Sequence, residues 1–162
     1  MEYTHLSHTF EPIYNEQSKI LILGTFPSVK SREYGFYYGH PMNRFWKLLG
    51  SLMKEPIPIT IEEKKQFLLK HNIAIWDVVE SCDIIGSSDS SIKNVVPTDI
   101  NRILDIGPIE KIYANGTKAF QLYNKYTLPI TKREIIKLPS TSPANAMFSF
   151  ERLVMEWEII LE

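Results

Sequence analysis

Residues 24–46 read GTFPSVKSREYGFYYGHPMNRFW, a run in which Phe, Tyr and Trp are interleaved with Gly, Pro and a single Asn. A loop this aromatic and this rich in turn formers presents surface and does more than connect two elements. Asn43 brings an amide, which has no useful basicity. It can orient water or offer a dipole, but it cannot act as an ordinary general base. Asp77, within IAIWDVV, supplies acceptors when ionised and a donor only when protonated. Much later, LPSTSPANA (138–146) places the hydroxyls of Ser140 and Ser142 in a turn-forming Ser, Thr and Pro cluster. Lys30, Arg32, Arg44 and Lys47 form a local basic set beside the aromatic run, able to touch phosphate, and His40 lies inside the run. His5, His8 and His71 have no spacing that suggests a metal site.

Residues so far apart in the chain need a scaffold that gathers them. Four short β-rich runs stand out: KILILG (19–24), IAIWDVV (73–79), KIYANG (111–116) and EIIKLP (134–139). Segments of helical character lie between and after them, at 43–53, 61–71, 98–106, 117–126 and 146–161. In the first of these, Phe45, Trp46, Leu48, Leu49 and Leu52 share a face, and Thr98 is the expected N-cap of the third. Strand alternating with helix predicts a parallel sheet covered on both faces. In such sheets ligands bind beyond the carboxyl ends of the strands. The segments just past those ends are GTFPS, WDVVESCD, NGT and LPSTSPANA, so the chemistry is expected at that rim.

Composition limits the choice of function. At 162 residues with 44% apolar content, the chain is expected to fold as one domain with a full core. Lys and Arg total 18 against 19 Asp and Glu, so any contact with nucleic acid must be local and not driven by overall charge. The lone Cys82 excludes a disulfide framework, a Cys-rich zinc site and a thiolate-held cluster, and it fits a reducing cytoplasm. With no run near ~20 apolar residues and a polar N-terminus, the expectation is a soluble intracellular protein with no membrane contact.

LGTFPS followed by YYGHPMNRFW, and later LPSTSPANA, resembles the uracil-DNA glycosylase superfamily, most closely its hypoxanthine-DNA (deoxyinosine) glycosylase branch. The likeness runs from HTFEPIYN to the C-terminal helix and takes in IWDVVESCD and SSDSSIKNVVP. It implies a three-layer α/β/α fold with a central four-stranded, mainly parallel sheet. It also implies excision of a deaminated base from damaged DNA. The protein is expected to be a monomer that needs no cofactor and no metal. The base would be flipped out of the duplex into a pocket. By the same resemblance Gly24, Thr25 and Phe26 form the pocket wall, Tyr38 stacks on the base, and Asp77 meets its edge, where the N1–H of hypoxanthine is a donor. Asn43 is the catalytic residue, and Ser28, His40, Ser140 and Ser142 contact DNA.

Two departures from the family pattern matter. Many members carry an acid or amide as the third residue of the first motif, to position the attacking water, and here that residue is Phe26. The second motif often has a His that stabilises the departing base, and none occurs in 138–146. Each residue also has a plainer reading. Phe36, Tyr37 and Tyr38 could be packing, Asn43 the cap of a helix at 44–53, Asp77 a loop cap or lysine partner, and the serines and basic residues caps and solvated surface. A mismatch-specific uracil-DNA glycosylase and a catalytically weak lesion-binding protein are the competing functions. A nucleoside hydrolase is disfavoured because GxGxxG, GxxxxGK and an evident carboxylate pair are missing.

Overall fold

The computed structural model describes residues 2–162. In chain order the strands are β1 (Thr4–Ser7), β2 (Ile20–Gly24), β3 (Ile73–Asp77), β4 (Val79–Ile84), β5 (Lys93–Pro97), β6 (Lys111–Asn115) and β7 (Ile135–Leu138). The helices are α1 (Val29–Tyr34), α2 (Phe45–Met53), α3 (Ile61–Lys70), α4 (Asn101–Leu104), α5 (Thr117–Leu122), α6 (Leu128–Thr131) and α7 (Phe150–Trp157).

The four apolar runs become a parallel sheet in the order β3-β2-β6-β7. Successive residues of β2, β3 and β6 are buried whichever way they point, as helices on both faces require. α3 packs on β3, α5 covers β6 and β7, and α2 packs against α7, which gives the expected α/β/α layering. The register sets Gly24 opposite Asp77 and Asn115 opposite Leu138, so all four strands end at one rim.

A second, antiparallel sheet in the order β1-β4-β5 was not foreseen. The run 73–79 is two strands, because Val78 turns the chain out of the main sheet, its N–H donating to Gly24 O at 2.8 Å. β4 mixes Glu80, Ser81 and Asp83 with buried Val79, Cys82 and Ile84, a half-polar pattern that reads as loop in isolation.

Helix bounds differ from expectation for local reasons. The 98–106 helix shrinks to α4, and Thr98 does not cap it. Its buried hydroxyl instead donates to Asp77 O and Val78 O at 2.7 and 3.1 Å. α5 leads into a π turn, Tyr123–Thr127, before α6, where Pro129 has no N–H to continue a regular ladder. The 146–161 helix begins only at Phe150, behind the N-cap Ser149, whose Oγ accepts from Arg152 N–H at 3.2 Å. The turns that fill the preceding residues therefore leave no helix start beside Ser140 and Ser142. α3 does carry a full capping box between Thr60 and Glu63.

Candidate active site

A cleft of about 600 Å³ opens at the rim where the parallel strands end, within the usual range for ligand sites. Every residue that the family resemblance assigned to base, DNA or catalysis lines it. Gly24, Thr25, Phe26 and Ser28 come from the end of β2, Tyr38, His40 and Asn43 from the aromatic loop, Asp77 from the end of β3, and Ser140 and Ser142 from beyond β7. Ser87–Ser90, at the tip between β4 and β5, also line it.

Asn43 is fixed by its oxygen. Phe45 N–H, which can only donate, points at Oδ1 from 2.9 Å, and Thr141 Oγ1 donates to the same atom at 2.9 Å. The amide thus does tie down the start of α2, one residue later than a cap at 44–53 would require, and its free end is the Nδ2 amine. Thr141 is itself oriented. Its N–H donates to Asn115 Oδ1 at 3.0 Å, and Asn115 Nδ2 returns a bond to its hydroxyl at 3.1 Å. Donors and acceptors therefore run in one direction, from Asn115 through Thr141 to Asn43. Such a chain polarises its last amide and strengthens it as a donor. Thr141 is fully buried and Asn115 nearly so. Neither was singled out from the sequence, although a lone polar residue closing the buried run KIYAN was a usable signal for Asn115.

Asp77 is buried and one of its oxygens is spoken for. His8, just past β1, donates from Nε2 to Oδ2 at 2.7 Å, with side-chain exposures of 1% and 5%. Phe10 N–H reaches His8 Nδ1 at 3.2 Å, which puts the proton of the neutral ring on Nε2. Burial opposes charging the imidazole, but the hydrogen bond and charge of Asp77, helped by Glu80, outweigh it and hold the His8 pKa above the ordinary histidine value. Nothing in the sequence links His8 to Asp77, 69 positions away. Asp77 Oδ1 makes no hydrogen bond among the described residues and lies over Gly24. A Cβ there would sit 2.4 Å from this oxygen and 2.9 Å from the Tyr38 hydroxyl.

Tyr38 holds a left-handed backbone (φ 54°), unusual for an aromatic residue and costing on the order of 1 kcal/mol. The turn stacks one ring face on Phe45, at 3.9 Å between centroids and 19° between planes. Its hydroxyl is buried without a partner among the described residues, and burial, reinforced by the charge of Asp77, keeps it protonated. Phe36 and Tyr37, by contrast, are core residues. The serines are partly engaged in shaping loops. Ser28 caps α1, while Ser140 Oγ accepts from Ser142 N–H and Ser142 Oγ from Ala144 N–H, both at 3.1 Å. His40 Nδ1 likewise accepts from Met42 N–H at 3.0 Å.

The expected basic set does not act together. Lys30 lines the cleft, Lys47 lies 4.3 Å over the Phe150 ring, and Arg32 is half-buried beside Phe26. Arg44 is no phosphate ligand. Its guanidinium donates to the carbonyls of Thr141, Phe148, Ser142 and Asn145, clamping the 141–148 turns onto α2. Arg44→Lys is expected to lose about 2–3 kcal/mol of stability, because an ammonium cannot serve that fan of carbonyls. Urea unfolding checks the value, and amide exchange should show the loss of protection concentrated at 141–149.

Among the described residues no three His, Cys, Asp or Glu side chains gather as a metal site, and no helix is long and apolar enough to cross a membrane. The family model of the uracil DNA glycosylase superfamily matches residues 11–160. The chain belongs to that superfamily. Among its superfamily relatives, a hypoxanthine DNA glycosylase of Methanosarcina acetivorans is 37% identical over 153 residues, 93% of this chain and 95% of that one. A hypoxanthine DNA glycosylase of Methanosarcina barkeri is 34% identical over 112 residues, 68% of this chain and 71% of that one. A Methanosarcina acetivorans chain, solved by solution NMR as a candidate uracil DNA glycosylase, superposes with a TM-score of 0.82 at 34% identity. That match covers 97% of this chain and 96% of the other. The structural match therefore extends over nearly all of the chain.

Proposed function

We propose that this superfamily member is a monofunctional DNA glycosylase that takes a deaminated base, hypoxanthine first, out of damaged DNA and hydrolyses its N-glycosidic bond. It acts as a one-domain monomer without cofactor or metal. The observation that carries this reading is the pairing, at the floor of one cleft, of a carboxylate oxygen free to accept with an amide nitrogen free to donate. Hypoxanthine offers the matching edges, an N1–H donor and carbonyl or ring-nitrogen acceptors. Names borne by the two Methanosarcina relatives support the same substrate.

Asn43 then acts on the leaving base and not on water. Its oxygen is fully engaged, so it cannot accept a proton-bearing water, whereas Nδ2 can donate to the negative charge that develops as the bond breaks. This supplies the electrophilic partner that the second motif lacks. Departure is largely dissociative, with an oxocarbenium-like sugar that water captures afterwards. The Tyr38 hydroxyl adds a protonated donor to the pocket, and the Tyr38 ring and Phe26 supply apolar surface for the base. Neutral hydroxyls of Ser28, Ser140 and Ser142, with His40, suit phosphate contact in a chain of net charge −1. Met147, 88% exposed in the turns after Ser142, fits an apolar wedge that fills the stack vacated by the base.

The test is single-turnover incubation with end-labelled duplexes carrying one inosine, uracil or xanthine, followed by alkaline cleavage of abasic sites. The expected result is fastest release from inosine. Uracil released faster would make this a mismatch uracil enzyme. Binding to lesion duplexes without any release would make it a lesion-binding protein.

A further inference from the structure

Guanine presents the same N1–H and six-position carbonyl as hypoxanthine and differs only in a 2-amino group beside that N1–H. A free carboxylate would take both of guanine's N–H groups, one on each oxygen, and would favour the undamaged base over the damaged one. Asp77 is not free in this way. Its Oδ2 is held at 2.7 Å by His8, and both side chains are shut away from solvent. His8 cannot easily turn aside, because the rings of Phe10, Phe26 and Tyr37 surround it and Phe10 N–H holds its other nitrogen. Oδ1 makes no hydrogen bond among the described residues and lies over Gly24, in the cleft that both residues line.

We propose that His8 is a specificity-determining residue: by holding Oδ2 in a buried pair it leaves Oδ1 as the one oxygen of Asp77 available to the base, which satisfies hypoxanthine and leaves the 2-amino group of guanine without a partner. This rests on the assignment of Asp77 to the base edge made under Proposed function. A buried amine without an acceptor costs enough to set the two bases apart on the order of tenfold. His8 reaches the base only through Asp77 and is therefore a positioning residue.

The experiment compares His8→Leu, which removes the donor at similar bulk, with His8→Gln, which keeps an N–H for Oδ2. Free hypoxanthine, guanine and 1-methylhypoxanthine compete against inosine duplex in the excision assay, with the fold of each variant checked by circular dichroism and melting. In the wild type and in His8→Gln, hypoxanthine should outcompete guanine about tenfold or more. In His8→Leu that ratio should fall to one or invert in favour of guanine as Oδ2 is freed. A folded His8→Leu variant with the wild-type ratio overturns the proposal. Should that variant not fold, equal competition by guanine and hypoxanthine in the wild type overturns it, and the tenfold gap kept by His8→Gln supports it. If 1-methylhypoxanthine, which lacks N1–H, competes as well as hypoxanthine, Asp77 does not read that edge and the underlying assignment falls. Normal rejection of the methylated base with an unmoved guanine ratio in His8→Leu removes His8 alone.

Discussion

Asn43→Ala is expected to slow single-turnover release of hypoxanthine by roughly 10²–10³-fold, the usual consequence of removing one preorganised donor to a developing anion. The substitution also removes the bond that fixes Phe45 N–H, so about 1 kcal/mol of stability should go with it. Asn43→Asp separates the two effects. A carboxylate keeps acceptors for Phe45 N–H and Thr141 Oγ1–H but has no N–H to offer, and it sets a negative charge against a leaving anion. The Asp variant should therefore melt close to the wild type and be at least as inactive as the Ala variant. Wild-type rate in either variant would mean that the amide is structural and that another group carries the chemistry.

Gly24→Ala should be nearly as damaging, for a steric reason. The added methyl would lie 2.4 Å from Asp77 Oδ1 and 2.9 Å from the Tyr38 hydroxyl, distances no real contact tolerates. Asp77 is pinned by His8, and Tyr38 is stacked on Phe45 in an already strained turn, so neither can yield without disturbing the other. Overpacking of this kind costs about 1–3 kcal/mol. Its main effect falls on the slot, and release of hypoxanthine should drop about 100-fold or more. Free hypoxanthine should also stop competing, while affinity for undamaged duplex, which depends on the outer hydroxyls, should change little. Competition titration and duplex binding on the same folded variant decide the point. Unaltered competition by hypoxanthine would show that the base does not lie over Gly24.

The parallel sheet was legible because β2, β3 and β6 are largely apolar runs bounded by Gly or a polar end, and β7 keeps Ile135, Ile136 and Leu138 around the single Lys137. The rim followed from topology, and it gathers Asn43, Asp77, Ser140 and their neighbours around one opening as expected. What stayed hidden depends on side-chain direction and on pairing between distant segments. Thr141 could not be told from Ser140 and Ser142 beside it, because all three are small hydroxyl residues and only the fold decides which one turns inward. His8 follows a short polar strand whose partner is fixed by the second sheet, and β4 of that sheet does not read as a strand by itself. Arg44 looked like a phosphate contact because its sequence neighbours are aromatic and basic. The carbonyls that use up its donors lie about a hundred residues further along.

That arginine links the fates of two motifs that sequence comparison treats as separate. The turns following β7 are shaped by short-range hydrogen bonds of their own, and a guanidinium at the mouth of α2 seats them on the rest of the fold. Transplanting those turns between family members should succeed only where the recipient carries the same side chain at the equivalent place. Evolutionary remodelling of these turns would have to begin from the other end of the protein.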